Sequence, residues 1–460
     1  MATRSPCYHS YASMKAVGYV LRFLAMGAVM SWFLLRYGLG RLATLRHARG
    51  EPRRRAVAHL RGRIVREMFA TLGATFVKLG QVMSTRPDLF APEMIEELRQ
   101  LQDRLPPFAG AVARRTIEED LGRKVADVFS ELDDVPVAAA SVAQVHRARL
   151  VSGEEVAVKV LRPDVRRKAQ RDAVILKALA RVMAWHPRLR LSDPVGHIDE
   201  FQVGIIEQTD LTNEANNYTR FARDFAAFPG VRFPRVHREL CGPRVLTMQF
   251  VRGTKLDALP PGDHRDLARR LEHVMFDMCF EHGFMHADLH PGNMVVADGD
   301  GALVIFDVGL VKDLSGDIFA QFVDFARCLA MGTAHDFRLH LQRFHTYIGD
   351  VDWEGIERDI NSFLTAIRAK NTTQLEIGVM FNELYALARR YQVRPMPEVV
   401  LVMVGIVTAE GIGKQLNPEG NLFQALTTFL VPLMARKGMS FAPPATPPTQ
   451  AQEPRASQPV

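Results

Sequence analysis

The sequence predicts an α+β chain in two lobes, a small strand-rich one and a large helical one, behind a helical N-terminal extension. Three observations predict it. About 125 residues of helical periodicity precede anything strand-like. A hairpin of β-branched and small residues then appears between Val135 and Pro163, with Ser152-Gly153 at its turn. Beyond Asp313 the pattern is helical again to about Lys437.

Segment 1–63 is the first element. Of the chain's net charge of +7, the stretch 36–66 alone carries ten Arg against one Glu, and no acid precedes Glu51. A basic block of this kind suits phosphate groups. No nucleic-acid motif and no interleaved aromatics accompany it, so anionic membrane lipid is the expected partner and nucleic acid is not. Residues 17–35 are largely apolar but broken by Arg22, and the run 23–35, free of charge, is thirteen residues. That is short of the ~18–20 a bilayer requires, unless Arg22 snorkels and the longer run spans. Segment 1–63 is therefore expected to be membrane-associated, spanning or interfacial, on the cytoplasmic side. The alternatives are a mitochondrial transit segment, which would place the protein on the matrix side, and a buried helix; a secretory signal lacks its small-x-small cleavage site. Cys7, Cys241, Cys279 and Cys328 form no C-x-x-C pair, as fits a reducing compartment.

The apolar steps from Ile64 to Met83 predict one amphipathic helix ending near Arg86-Pro87. Pro92-Glu93 opens another, which Leu105-Pro106-Pro107 closes, and together they form an extension over 64–125. A strand-rich lobe is expected over 126–251. After its hairpin come helices over 165–184 and 192–228, the second capped by Ser192, Asp193 and Pro194, and a strand in "RVLTMQFVRG". A helical lobe follows over 252–438, starting with a helix over 263–282 and carrying the loop "HADLHPGN" (286–293). The tail 439–460 is proline-rich and expected to be disordered.

The chemistry these elements carry is that of nucleotide phosphates. Lys159 lies in "VAVKV"; a lone strand lysine usually faces water, but this one follows the small-residue turn Ala138-Ala139-Ala140-Ser141, where backbone N–H groups could approach an anion. A buried lysine needs a carboxylate. Glu207, Asp210 and Glu214, at i, i+3 and i+7, share one helix face, and spacing does not choose among them. In "HADLHPGN", Asp288 and Asn293 flank Pro291-Gly292 and so sit on a loop; Asp307 follows the strand-like "ALVIF". Oxygen donors on adjoining loops suit Mg²⁺, with Asn293 and Asp307 as ligands and Asp288 facing the acceptor or attacking water. A zinc site is the rival, since His282, His286 and His290 recur every four residues. Gly283 and Pro291 oppose an unbroken helix there, and Asn is a poor zinc ligand.

In these residues the chain resembles the UbiB/AarF family of atypical, protein-kinase-like ATPases associated with isoprenoid-quinone metabolism. The resemblance spans roughly 64–437 and rests on K-x-G-Q at Lys78-Leu79-Gly80-Gln81, the alanine turn where kinases use glycines, "SVAQVHRA", Lys159, "HADLHPGN" and Asp307-Val308-Gly309. It implies a protein-kinase-like fold with N-terminal helices across the active site, ATP and Mg²⁺ as cofactors, and ATP hydrolysis at a membrane in support of ubiquinone-type biosynthesis. Quinone-biosynthesis enzymes or isoprenoid precursors would be partners. It further implies nucleotide contacts at Ala138, Ala139, Ala140, Ser141, Lys159, Met248 and Phe250, and metal binding at Asn293 and Asp307. Asp288 and Lys159 would be catalytic, and Lys78, Gln81, Asp210 and Glu214 would form the regulatory ion-pair set. The chain departs from the family at Gln208-Thr209-Asp210 (for E-x-D), Gln249 in the hinge strand, and Val308. These departures keep open a nucleotide-binding pseudokinase scaffold for lipid or quinone enzymes; behind it stands a small-molecule phosphotransferase, since such enzymes carry nearly the same loop as "HADLHPGN".

Overall fold

In a computed structural model of the chain, the described residues are 7–46, 50–84, 90–101, 106–185, 194–260, 262–314, 318–347, 350–370 and 375–438. The expected tail, the cap residues Ser192 and Asp193, and the helix stop at Arg86-Pro87 lie outside them. The chain divides into two compact units, Met1–Leu256 with Gly292–Leu310, and Asp257–Pro291 with Val311–Val460.

The first unit opens with helices α1 (Cys7–Ala43), α2 (Glu51–Leu72), α3 (Ala74–Ser84) and α4 (Pro92–Arg99). The periodicity of 64–83 predicts one helix; the structure has two. Gly73 sits at φ +99°, a conformation that glycine adopts freely, and its N–H closes α2 on the Phe69 carbonyl. The break lets Phe69, Leu72, Phe76, Val77 and Leu98 converge on one core with Met26 of α1. At its centre the helices come very close. A Cβ placed on Gly80 would lie 2.2 Å from the Leu101 side chain and 2.9 Å from Phe69. The glycine of K-x-G-Q is thus required by packing. Arg22, which would have to snorkel for the run to span, donates to both carboxylate oxygens of Asp172.

After α5 (Gly110–Leu121) and the short α6 (Val125–Val128) comes an antiparallel sheet of β1 (Phe129–Leu132), β2 (Ala138–Ala139), β3 (Ala143–Leu150), β4 (Glu155–Leu161) and β6 (Val245–Gln249), ordered β1-β3-β4-β6 with β2 on β3. The expected hairpin is β3–β4, turned by Gly153 at φ +90°. Along β4, Val156, Val158 and Val160 are wholly buried against Ile117 and Val245. Strand alternation therefore sends Lys159 to the other face. Helices α7 (Val165–Met183), α8 (Pro194–Glu207) and α9 (Leu211–Asp224) connect β4 to β6, so the single helix expected over 192–228 is also two. A second sheet is ordered β5 (Val231–Arg232), β10 (Leu303–Ile305), β9 (Met294–Ala297), β7 (Gly253–Lys255). The sequence places 292–310 in the helical lobe. Its strands pair with β5 and β7, and it belongs to the first unit.

In the second unit, α10 (Arg265–Phe276) widens into a π turn at Asp277–Glu281 and leads to β8 (Phe284–His286), which pairs with β11 (Val311–Asp313). Helices α11 (Ile318–Ala330), α12 (Ala334–Phe344), α13 (Trp353–Arg368), α14 (Ile377–Arg390), α15 (Pro397–Leu416) and α16 (Leu422–Arg436) follow. A two-stranded pair, β12 (His345–Tyr347) with β13 (Val393–Pro395), lies within the stretch expected to be helical. Half of the apolar window of α15 is buried inside the protein, against 11% of that in α1.

Gly80→Ala is expected to destabilise the first unit by roughly 1–3 kcal/mol, the usual cost of forcing a methyl into a filled core. Gly27→Ala on α1, where a Cβ meets nothing within 4 Å, serves as its control and is expected to show no loss. Urea unfolding of the two variants checks the difference.

Candidate active site

Lys159 of β4 lies opposite Leu246 of β6 and Val145 of β3, in the interior of the sheet. Its ammonium donates to Glu214 Oε1 and Oε2 at 2.8 and 2.9 Å and to Asp307 Oδ1 at 2.8 Å. Of the three acids expected on one helix face, Glu214 is the one that meets it, and the three do not share a helix: Glu207 ends α8 and Asp210 precedes α9. Asp210 has a different task. As the N-cap of α9 it accepts from the backbone N–H and the hydroxyl of Thr212, fixing the first turn in which Glu214 stands.

Burial works against the charge on Lys159, but Asp307 and Glu214 outweigh it and hold the ammonium protonated well above its ordinary range. Burial, opposed by Lys159, holds the Glu214 carboxyl above its ordinary range. Two carboxylates thus face the Lys159 ammonium, and Lys78 adds positive charge at Glu214.

Asp307 has φ +56°, a region L residues rarely occupy. Helix α9 fixes it there. The Tyr218 hydroxyl accepts from the Asp307 N–H at 2.9 Å, and Asn217 Nδ2 donates to the Val308 carbonyl at 2.9 Å. Burial keeps the Tyr218 phenol neutral far above its ordinary value. Sequence reasoning missed both residues. They follow Glu214 by three and four positions, the spacing that puts them on its helix face.

Asn293 ends a 3₁₀ turn (Pro291–Asn293) just before β9. Because β9 and β10 are antiparallel with Met294 opposite Ile305, Asn293 and Asp307 emerge at the same end of the strand pair. The Phe306 N–H donates to the Asn293 carbonyl at 2.8 Å. Two oxygen-bearing side chains at adjoining strand ends fit a hard divalent cation such as Mg²⁺. Asp288 belongs to the second unit, two residues after β8; its N–H donates to Nδ1 of the fully buried His286 at 3.1 Å.

The alanine turn is closed by the Ala140 N–H on the Ala143 carbonyl at 2.8 Å. Arg162, another residue the sequence did not single out, donates through Nε to the Ala140 carbonyl and through Nη1 to that of Pro106. Ser141 is buried. In "SVAQVHRA", Gln144 and His146 form a buried chain. His146 Nδ1 donates to the Asp133 carbonyl, leaving Nε2 to accept from Gln144, whose amide also pairs with both backbone groups of Phe108. Burial lowers the His146 pKa, consistent with this neutral tautomer. On the hinge strand, Met248 is buried opposite Ala157, and Phe250 lies under the Arg147 guanidinium. From α3, Lys78 places positive charge on Glu214, while the buried Gln81 Oε1 has no hydrogen-bond donor among the described residues.

With this geometry in place, likeness to known proteins falls in the same regions. The model of the ABC1 atypical kinase-like domain matches residues 100–334 and that of the UbiB helical domain residues 360–421. Relatives named probable protein kinase UbiB include one from Pseudomonas fluorescens (strain SBW25), 34% identical over 90% of this chain and 78% of its own. Another, from Pseudomonas aeruginosa (strain LESB58), is 34% identical over 89% of this chain and 79% of its own. A solved Mycobacterium tuberculosis structure, described as the complex structure of Rv3197–erythromycin, shares the fold with a TM-score of 0.51. It is 24% identical and covers 77% of this chain and 92% of that one. The fold is α+β and protein-kinase-like, and the chain belongs to the UbiB family of atypical kinase-like proteins.

Proposed function

We propose that this protein binds ATP with Mg²⁺ and hydrolyses it as a membrane-associated, atypical kinase-fold ATPase that supports isoprenoid-quinone biosynthesis of the ubiquinone type. The observation that carries the reading is the contact of Lys159 with both Glu214 and Asp307. A strand lysine held by a helix carboxylate next to a metal-binding acid is the phosphate-gripping arrangement of kinase chemistry.

The two acids differ in reach. The Glu214 side chain is 5% exposed and that of Asp307 41%. Asp307 is therefore the one free to exchange the ammonium for a metal ion, while Glu214 keeps Lys159 in place. Asn293 and Asp307 would hold Mg²⁺, which when bound neutralises phosphate charge. Lys159, released on one side, would turn its charge to the phosphates. The backbone of the alanine turn, stiffened by Arg162, would approach them from the sheet, with Met248 and Phe250 offering apolar surface to the base. Asp288, on its His286-braced loop, is assigned the attacking water or acceptor. Lys78 and Gln81 are assigned a regulatory role beside Glu214. Anionic lipid, reached through the N-terminal Arg-rich segment, and quinone-biosynthesis enzymes or isoprenoid precursors are the proposed partners.

Titration with a fluorescent ATP analogue tests the metal assignment: Asp307→Asn is expected to lose at least about tenfold in Mg²⁺-dependent affinity, the scale of a lost charge-assisted contact. Unchanged affinity would remove Asp307 from the metal site. Purified protein that binds Mg-ATP normally yet releases no phosphate, with or without anionic vesicles, would replace the ATPase by the pseudokinase scaffold.

Lys159→Met leaves Glu214 buried without its cation, a cost of roughly 3–5 kcal/mol, and is expected to lower both the melting temperature and nucleotide affinity. In the Lys159→Met/Glu214→Met double variant stability is expected to return while binding stays lost. Melting and titration on the same samples separate the two roles.

A further inference from the structure

Along its apolar stretch, helix α1 carries its charges on the wrong side for a helix in water. Between Tyr19 and Gly40 its only charged residues are Arg22 and Arg36, and both face the protein. They lie on the packed stripe that includes Gly18, Met26, Phe33 and Gly40, recurring at helical spacing. Arg22 pairs with Asp172 of α7 at 2.7 and 2.9 Å and donates to the Leu72 carbonyl of α2 at 2.8 Å. Arg36 pairs with Glu67 of α2 at 2.7 Å. The opposite face is apolar: Leu24, Trp32, Leu34, Leu35, Leu39 and Leu42 are each more than half exposed. It runs about 35 Å, from Tyr19 to Leu42, at the helical rise of 1.5 Å per residue.

We propose that α1 is an in-plane membrane anchor. It lies flat in the interface of an anionic bilayer, its apolar face among acyl chains and Arg22 and Arg36 still paired to the protein beneath. The proposal rests on the membrane association inferred above and names its geometry. Lipid is the partner chosen because acyl chains offer no hydrogen bonds and this face asks for none. A protein interface of such length carries a polar rim and several hydrogen bonds, whereas Ser31 is the one polar side chain on the outward face between Val20 and Leu35. The neighbouring charge agrees. Arg41, Arg54, Arg61 and Arg63 are exposed, and such residues are drawn to anionic lipid. A spanning helix is excluded by the same ion pairs. Arg22 and Arg36 tie both ends of the apolar run to α7 and α2, and α2 bears exposed arginines that would have to enter hydrocarbon. Breaking the first pair instead would leave Asp172, 4% exposed, uncompensated.

The test uses Gly27 and Gly38, both exposed, where an added Cβ meets nothing within 4 Å. They are eleven residues apart, so they share a face while lying about 16 Å apart along the axis. Full-length Gly27→Cys and Gly38→Cys variants, with Cys7 and Cys241 replaced by Ser, are labelled with an environment-sensitive fluorophore. They are then mixed with phosphatidylcholine vesicles, with or without phosphatidylglycerol. The protein is expected to float with the phosphatidylglycerol vesicles, and lipid spin labels are expected to place both probes at one shallow depth. Leu24→Glu/Leu35→Glu is expected to weaken flotation at least about tenfold with nucleotide affinity unchanged. Flotation with probes at clearly different depths would overturn the in-plane geometry and leave membrane association standing. No flotation, or a dimer in solution that shields both probes, would overturn the anchor and the membrane reading together, and Mg-ATP binding would stand apart from either result.

Discussion

Everything in the first unit that bears on chemistry is arranged around one ammonium buried beneath a sheet. A lysine taken out of water must be paired, and this one is paired twice, to Glu214 and Asp307. That requirement fixes the rest. Glu214 must stand in the first turn of α9, so the turn is capped by Asp210. Asp307 must turn its carboxylate toward the lysine at the cost of a left-handed backbone, so the Tyr218 hydroxyl holds its N–H and Asn217 the next carbonyl. Backbone strain of this kind persists only when neighbours over-determine it. Here one helix supplies the lysine's partner and both clamps on the strained loop.

The family signatures divide on the same physical lines. In K-x-G-Q the glycine answers to packing, since α3 meets Phe69 and Leu101 without room for a methyl. The lysine answers to charge, acting on Glu214. In "SVAQVHRA" the glutamine and histidine satisfy each other and the backbone of 108 and 133, which anchors the segment ahead of α5 to β3. A motif that reads as a site is thus partly a record of where the backbone has no other means of satisfying its polar groups.

How far the site was legible follows from the kind of bond each residue makes. Lys159, Asn293 and Asp307 are visible in sequence because strand, loop and residue type agree. Glu214 could not be chosen over Glu207 and Asp210 by spacing; what separates it from them is the helix break, which leaves Glu207 at the end of α8 and consumes Asp210, ahead of Leu-Thr at a helix start, as a cap. Tyr218 and Asn217 were within reach by counting from Glu214. Arg162 was not, because its partners are backbone carbonyls of Ala140 and Pro106, which carry no sequence signature. The misplaced breaks have the same origin. Gly73 inside an apolar 3.6-residue pattern is tolerable in a helix, and only the positive φ shows that it ends one. The segment 292–310 was assigned by position in the chain, whereas its place is decided by pairing with strands far away in sequence.

The rule that a sheltered charge needs a partner operates a second time, on α1. Arg22 lies in an apolar run and, on sequence alone, belongs to whichever surface lets its guanidinium reach water. Asp172 gives it an internal alternative, and the helix is thereby stitched to α7 while Met26 and Phe33 sink into the protein. Segment 1–63 is then no detachable tether. Removing it would strip Met26 from the core around Phe69 and Leu98 and leave Asp172 and Glu67 without their arginines. A truncated chain that lost activity would report that damage as readily as a lost membrane contact. Only substitutions on the outward face, where Leu24 and Leu35 touch solvent rather than the fold, separate the anchor from the structure that carries it.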